Sequence, residues 1–192
     1  MKDIIQEYFA NFQAQPLWDV DRMPRHRALL PKILEKVEGD ILEIGAHRGD
    51  STRMFCEIAE KFGRKVYVID PWDGRQEGSN EVYGEFLANT AHCKNLIVHR
   101  MGSEKPEAFE AVKSIKLAFL FIDGLHGYDA VSLDFTRFRQ LLSDKAVICV
   151  DDWTGPYAFC EAIRRGVRDY MNDQYEEIQS PGSLIEKYIV RL

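Results

Sequence analysis

Apolar positions along this chain change their spacing several times. Residues 1 to 14 and 25 to 38 carry the three-and-four spacing of amphipathic helices, punctuated by Pro16, Pro24 and Pro31. From Asp40 onward, short apolar runs alternate with helical patterns. The runs predict strands at Ile41–Ile44, Lys65–Ile69, Leu96–His99, Leu117–Ile122, Ala146–Val150, Tyr175–Ile178 and Leu184–Val190. Helices are predicted between them at about 51–62, 80–92, 104–114, 128–142 and 157–172. Strands that alternate with helices imply βαβ units and a mostly parallel sheet. The last two strands are separated only by Gln179-Ser180-Pro181-Gly182-Ser183. A parallel crossover takes about a dozen residues, so the last strand should run antiparallel. The expectation is an α/β, Rossmann-like, doubly wound sheet of seven strands with the last one reversed and helices on both faces.

A length of 192 residues suits one domain with a sizeable core. No repeat or linker divides it; residues 1–36 read as a helical cap on a domain spanning 37–192. The hydrophobic fraction of 45% and charged fraction of 29% are those of an ordinary globular chain. A net charge of −6 without a run of five like charges argues against nucleic acid or anionic membrane as partners held by charge alone. No apolar stretch approaches the roughly 20 residues needed to span a bilayer. The first residues lack the basic start and apolar centre of a signal peptide. Cys56, Cys93, Cys149 and Cys160 form no C-x-x-C pair, and reduced packing thiols in a cytoplasmic protein are expected. Phe9, Phe12, Leu17 and Trp18 give the N-terminal segment an apolar surface to pack on the core or on a second copy of the chain.

The first strand ends in a glycine turn, Glu43-Ile44-Gly45-Ala46-His47-Arg48-Gly49-Asp50-Ser51. A strand, a tight turn and a helix start form the junction at which α/β proteins hold nucleotide-like ligands. A P-loop would need Lys-Ser/Thr after the second glycine, where Asp50-Ser51 stands. A dinucleotide site would need glycine at 47, and His47 and Asp50 suit a pyrophosphate poorly. A nucleoside without phosphates remains, given backbone room at Gly45 and Gly49. Glu43 within the apolar run needs a partner or a ligand-binding duty. Asp70 ends the second strand, where an acid can accept both hydroxyls of a ribose or cap the following turn. Trp72 could stack near the ligand or serve as core or lid. Met101-Gly102-Ser103 closes the third strand, either beside an adenine or with Ser103 capping the next helix.

Asp123 ends the fourth strand, and Asp151-Asp152-Trp153 follow the fifth. The carboxyl ends of strands face the ligand crevice in an open α/β sheet. Three converging carboxylates repel one another unless a cation or proton intervenes. Oxygen ligands suit Mg²⁺, Ca²⁺ or Mn²⁺, and an open carboxylate site is typical of Mg²⁺. Otherwise Asp151 and Asp152 are turn residues and Asp123 contacts the cofactor. His126 faces the same crevice as a general base, a metal ligand or a helix cap. His47 is a weaker candidate for contact with substrate. His26, His92 and His99 read as surface or helix residues without a role.

Together these residues resemble the class I S-adenosylmethionine-dependent methyltransferases over nearly all of 37–192. Glu43-x-Gly45-x-x-x-Gly49 matches their first motif and Asp70 the acid of their second. Ile122-Asp123-Gly124-x-His126-x-Tyr128 and the later Asp151-Asp152-Trp153 look like one branch of that family. It includes small-molecule O-methyltransferases related to macrolide-sugar and aminocoumarin-sugar enzymes, cephalosporin-biosynthesis methyltransferase-like proteins and, more distantly, catechol O-methyltransferase. The resemblance implies S-adenosylmethionine held by Glu43, Gly45, Gly49, Ser51, Asp70, Trp72, Gly102, Ser103 and Asp123. It implies Mg²⁺ or another divalent cation on Asp123, Asp151 and Asp152. Asp123 or His126 would take the proton of a small hydroxylated acceptor, such as a sugar or a vicinal diol. The sequence departs from the first motif around His47-Arg48 and has no obvious lid insertion, which leaves recognition of the acceptor to residues 1–36 or a partner subunit. The rival readings are a metal-independent methyltransferase with His126 as base, and a nucleoside-binding subunit of the same fold without catalysis. A dehydrogenase is disfavoured by the absent G-x-G-x-x-G.

Overall fold

The structure is a computed structural model that describes residues 1–11, 23–74, 80–179 and 185–192. Among these, seven strands form one sheet in the order β3-β2-β1-β4-β5-β7-β6. The strands are β1 Asp40–Ile44, β2 Val66–Ile69, β3 Leu96–His99, β4 Leu117–Ile122, β5 Leu142–Val150, β6 Tyr175–Glu177 and β7 Lys187–Arg191. β1 pairs in parallel with β2 and β4, β2 with β3, and β4 with β5. β7 runs antiparallel to both β5 and β6, as the short final connection requires. All six residues of β4 are buried, which is why this central strand reads as one continuous apolar run.

The helices are α1 Lys2–Ala10, α2 Met23–Lys36, α3 Asp50–Glu60, α4 Asn80–Thr90, α5 Pro106–Val112, α6 Tyr128–Phe138 and α7 Ala158–Arg168. The connection from β1 to β2 moves one way along the sheet, and that from β4 to β5 moves the other way. Right-handed crossovers then place α3 on one face and α6 on the opposite one. α2 packs on α3, and α7 packs on α6. The α3 face shows why the core is tight. Phe55 of α3 is fully buried, with its ring edge-on to Phe119 at 5.7 Å and Phe121 at 5.5 Å.

Several boundaries differ from expectation: β7 is Lys187–Arg191 rather than Leu184–Val190, and α7 stops at Arg168 rather than near 172. α2 runs through Pro31, which was expected to punctuate the helix. α6 stops at Phe138, a single 3₁₀ turn follows at Arg139–Leu141, and β5 begins at Leu142 rather than Ala146. Leu142 pairs with Leu117 before the register shifts, and Lys145 takes φ +63. Polar Ser143, Asp144 and Lys145 occupy that irregular segment, so no apolar signal marks it as strand. The parts of the predicted elements at residues 12–14 and Leu184, together with Pro16, Leu17 and Trp18, lie outside the described residues. Phe9 is buried and packs its ring 5.5 Å from Tyr188. No described helix is long and apolar enough to cross a membrane, and the four cysteines are free thiols.

Phe55→Ala should lower the unfolding free energy by about 3–5 kcal/mol through lost transfer energy and a residual cavity. Urea denaturation, with an unchanged m-value, would measure it.

Candidate active site

The strand order reverses between β1 and β4, and the crevice of a doubly wound sheet lies outside the carboxyl ends at such a point. A cavity of about 1020 Å³ opens there. Single-ligand pockets span roughly 300–1,000 Å³, so this one stands at the top of that range. Gly45, Ser51, Asp70, Trp72, Gly102, Ser103, Asp123, His126 and Asp152 all line it.

Gly45 has φ +85, and a Cβ there would lie 2.0 Å from the Asp123 carbonyl oxygen. Gly49 has φ +82, and its Cβ would lie 2.8 Å from the Phe86 ring. Both positions therefore need glycine because protein atoms approach them, and not only to admit a ligand as the sequence reading supposed. Gly49 also caps α3, and Asp50 in the first turn complements the positive end of the helix dipole.

Glu43 is fully buried and its partners are close. The Ser51 hydroxyl donates to one carboxylate oxygen and Thr52 Oγ1 donates to the other at 2.5 Å. Thr52 was not anticipated, although its place two residues after Asp50 puts it on the first turn of α3, facing β1. Burial pushes the Glu43 pKa up to about 7, against the lowering effect of those two hydrogen bonds.

Asp70 ties down the glycine turn. Its Oδ2 accepts the backbone N–H groups of Ala46 at 2.8 Å and His47 at 3.1 Å, and Oδ1 accepts that of Trp72 at 2.8 Å. A carboxylate offers about four acceptor positions, so three are engaged and one is left for a ligand hydroxyl. Trp72 is buried with φ +45, its indole N–H donates to the His47 carbonyl at 2.7 Å, and its ring packs on Phe86 at 4.6 Å. It forms the buried underside of the loop as well as a part of the cavity wall.

The far end of the cavity holds the chemistry-bearing groups. His126 Nε2 lies 3.2 Å from Asp152 Oδ2 and 4.0 Å from Asp123 Oδ1. Ligand atoms of Asp123, His126 and Asp152 all fall within 4.8 Å of one another, and the three residues are part-exposed. The Phe159 ring lies 5.0 Å from the imidazole. Asp151, expected in the metal set, is not in this cluster. It is 2% exposed and shares the burial of Cys149, whose thiol it helps push up. The physical reason is the strand's period of two: neighbouring residues at a strand end point to opposite sides. Asp152, at φ +51, turns into the cavity and Asp151 turns away from it.

Among the cavity residues that were missed are His26 and Arg27. His26, assigned no role, is buried 1% exposed with its ring 5.5 Å from Phe55, and it lines the cavity beside Arg27. The only signal was their place on the apolar-spaced helix that precedes the core. His47 lines the cavity at φ +48.

Residues 42–153 match the sequence model of a methyltransferase domain family. The chain belongs to that methyltransferase family. The matched segment runs from β1 to Trp153 and so contains the glycine turn, Asp70, Ser103 and the Asp123–His126–Asp152 cluster. CalS11, a TDP-rhamnose 3'-O-methyltransferase of calicheamicin biosynthesis, shares the fold with a TM-score of 0.65 at 17% identity, covering 99% of this chain and 92% of that one. The O-methyltransferase NovP does so with a TM-score of 0.63 at 16% identity, covering 99% and 97%. SMU.1697c of Streptococcus mutans, solved in complex with SAH (S-adenosylhomocysteine), has a TM-score of 0.59 at 14% identity, covering 90% and 99%. In sequence the chain is also 26% identical over 118 residues to the uncharacterized protein y4gI of Sinorhizobium fredii (strain NBRC 101917 / NGR234). That match takes in 58% of this chain but 13% of the relative's length. Family and fold are those of the class I S-adenosylmethionine-dependent methyltransferases.

The methyltransferase should lose stability as pH rises through about 7. A carboxyl with a raised folded-state pKa binds its proton more tightly folded than unfolded, so its contribution is full below about 4.5 and lost as pH passes the folded value. The slope from one such proton reaches at most about 1.4 kcal/mol per pH unit. Glu43→Gln should flatten the decline in thermal midpoint between pH 5 and 8, and an unchanged slope would show that Glu43 does not carry it.

Proposed function

We propose that this methyltransferase transfers the methyl group of S-adenosylmethionine to a hydroxyl of a small acceptor, with a divalent cation held by Asp123, His126 and Asp152. The observation that carries the reading is the tight cluster of those three side chains, in the same cavity as the glycine turn. The donor occupies the turn end, with Gly45, Ser51, Asp70, Gly102 and Ser103 around it. The acceptor occupies the cluster end. Residues 1–36 act as a cap on the domain at 37–192, which is supported by His26 and Arg27 of α2 in the cavity wall. The acceptor class favoured is a sugar or vicinal diol, supported by the fold shared with a TDP-rhamnose O-methyltransferase.

The residues present fit a divalent cation. Two carboxylates offer hard oxygen ligands, suited to Mg²⁺ or Mn²⁺, and an imidazole nitrogen adds a borderline donor. Partial exposure of all three leaves room for water and acceptor oxygens. When bound, such a cation supplies Lewis acidity that lowers the pKa of a hydroxyl it contacts.

The side chains supply the rest. Methyl transfer to oxygen is an in-line displacement without a covalent enzyme intermediate, so positioning does most of the work. The acid-lined crevice attracts the cationic sulfonium. Asp123 stands at the β4 end, beside Gly45, between the two halves of the cavity, where it can accept the hydroxyl proton.

A second reading rests on the His126–Asp152 contact of 3.2 Å alone. An imidazole oriented by a carboxylate is a general base that needs no metal.

Isothermal titration should give binding of S-adenosylhomocysteine and none of NAD; the reverse would sink the donor assignment. With an acceptor in hand from a panel of sugars and diols, EDTA should abolish turnover, added Mg²⁺ or Mn²⁺ should restore it, and Asp152→Ala should reproduce the EDTA loss. Turnover that resists EDTA but drops by about 10²–10⁴ in His126→Ala would instead favour the metal-free base.

A further inference from the structure

Asp152 enters the Asp123–His126–Asp152 cluster through an unfavourable backbone conformation. Its φ is +51, in the left-handed region that non-glycine residues uncommonly occupy. Such a conformation persists only where the surroundings over-determine it. The residue before it is fixed by the sheet, since the Asp151 N–H donates to the Ile122 carbonyl at 3.0 Å. The residue after it, Trp153, is 3% exposed and held from several sides.

Arg164 Nη1 donates to the Trp153 carbonyl at 2.7 Å. The Arg168 guanidinium carbon lies 5.1 Å from the centre of the indole ring, and Lys187 Nζ lies 5.9 Å from it. A cation is attracted to an aromatic face, and most strongly to that of tryptophan. Both cations are tied to one acid. Glu177 accepts Arg168 Nε at 2.6 Å and Nη2 at 2.8 Å, and its Oε2 lies 3.8 Å from Lys187 Nζ. One residue further on, the Thr154 N–H donates to the Ile185 carbonyl at 3.1 Å. Asp152 therefore spans two anchored points, the β4–β5 ladder and the Trp153 seat. Between them the chain turns left-handed, and the Asp152 carboxylate enters the cavity 3.2 Å from His126 Nε2. Arg164, Arg168, Glu177 and Lys187 do not line the cavity themselves. They come from α7, β6 and β7, beyond the matched family segment, of which Trp153 is the last residue.

We propose that Trp153 is a positioning residue: its seat on Arg164, Arg168 and Lys187 holds Asp152 in the left-handed turn and so fixes where that carboxylate stands beside Asp123 and His126. The consequence for a cation rests on the reading given under Proposed function. Groups that orient a metal ligand from outside the coordination sphere are worth about 10–100-fold in metal affinity. A tryptophan that only filled the core would stabilise the fold without that effect.

Calorimetric titration of the whole chain with Mn²⁺, beside crystal structures and thermal midpoints of the same variants, tests this. Trp153→Leu should bind Mn²⁺ about tenfold or more weakly. In its structure residue 152 should leave the left-handed region and lose the contact with His126. Trp153→Phe keeps an aromatic face for Arg168 and should retain most of the affinity. Arg164→Ala leaves the indole in place, should weaken Mn²⁺ binding in the same direction, and decides the question if Trp153→Leu does not fold. Arg164→Lys, which can still donate to the Trp153 carbonyl, should recover the affinity. In an Asp152→Ala background Trp153→Leu should weaken binding no further, because the two residues act as a unit. Phe138→Ala, a deletion of a fully buried ring at the far end of α6, should lower the thermal midpoint and leave Mn²⁺ binding unchanged. A similar loss of affinity in Phe138→Ala would reduce Trp153 to a stability role and overturn the proposal. So would a Trp153→Leu protein with unchanged Mn²⁺ affinity, or one whose Asp152 keeps its left-handed φ and its contact with His126. A wild type that binds no Mn²⁺ would instead overturn the cation reading, and the structures of Trp153→Leu and Arg164→Ala would then decide the positioning role by themselves.

Discussion

The backbone of Asp123 lies where a side chain at residue 45 would be. Most of the cavity follows from that contact. The Asp123 N–H donates to the Ile44 carbonyl at 2.9 Å, which extends the β1–β4 ladder one step beyond the strands. The two turns after β1 and β4 are thereby pressed together at the reversal of strand order. One is the Gly45–Gly49 turn, and the other carries Asp123 and His126. On the proposed function, donor and acceptor meet there because no side chain separates the two strand ends.

Charge in the crevice is managed unevenly. Glu43 and Asp134 are sealed from water, and burial pushes the pKa of each up to about 7. Asp70 is more exposed, but three backbone N–H groups converge on it. Asp123 and Asp152 share one imidazole between them. The acids behind the wall thus shape the loops without adding full charge. Asp70, Asp123 and Asp152 are among the acids that line the cavity itself. This division explains how so many acids can line one crevice without destabilising it by mutual repulsion.

The sheet was legible because each of its signals was local. Continuous apolar runs marked β1, β2, β4 and most of β5, and a five-residue gap dictated the reversed β7. The start of β5 was not legible, since Leu142 is followed by three polar residues and a left-handed Lys145. The glycine turn and the acids at the strand ends were readable as a constellation, because doubly wound sheets bring those ends together. What was unreadable depends on side-chain direction. Nothing in Asp151-Asp152 tells which acid faces the cavity until the chain leaves the strand at φ +51. The burial of His26 could not be seen either, since it depends on how α2 settles on Phe55 and Phe121.

That docking of α2 bears on how the acceptor is chosen. Arg25, next to His26, forms a buried ion pair of 2.6 Å with Glu186, which immediately precedes β7. Breaking such a pair by removing one partner costs about 3–5 kcal/mol, because the other charge is left uncompensated. The pair therefore fixes the register between the start of the chain and its end. His26 and Arg27 on one side of it, and Ile185 on the other, all reach the cavity wall. None of them lies within residues 42–153, the segment that matches the family. The shared segment contains the glycine turn and the Asp123–His126–Asp152 cluster, while the two chain ends, locked to each other, build the remaining wall. On the proposed function, substitutions in that wall can change the acceptor without disturbing either the donor or the chemistry.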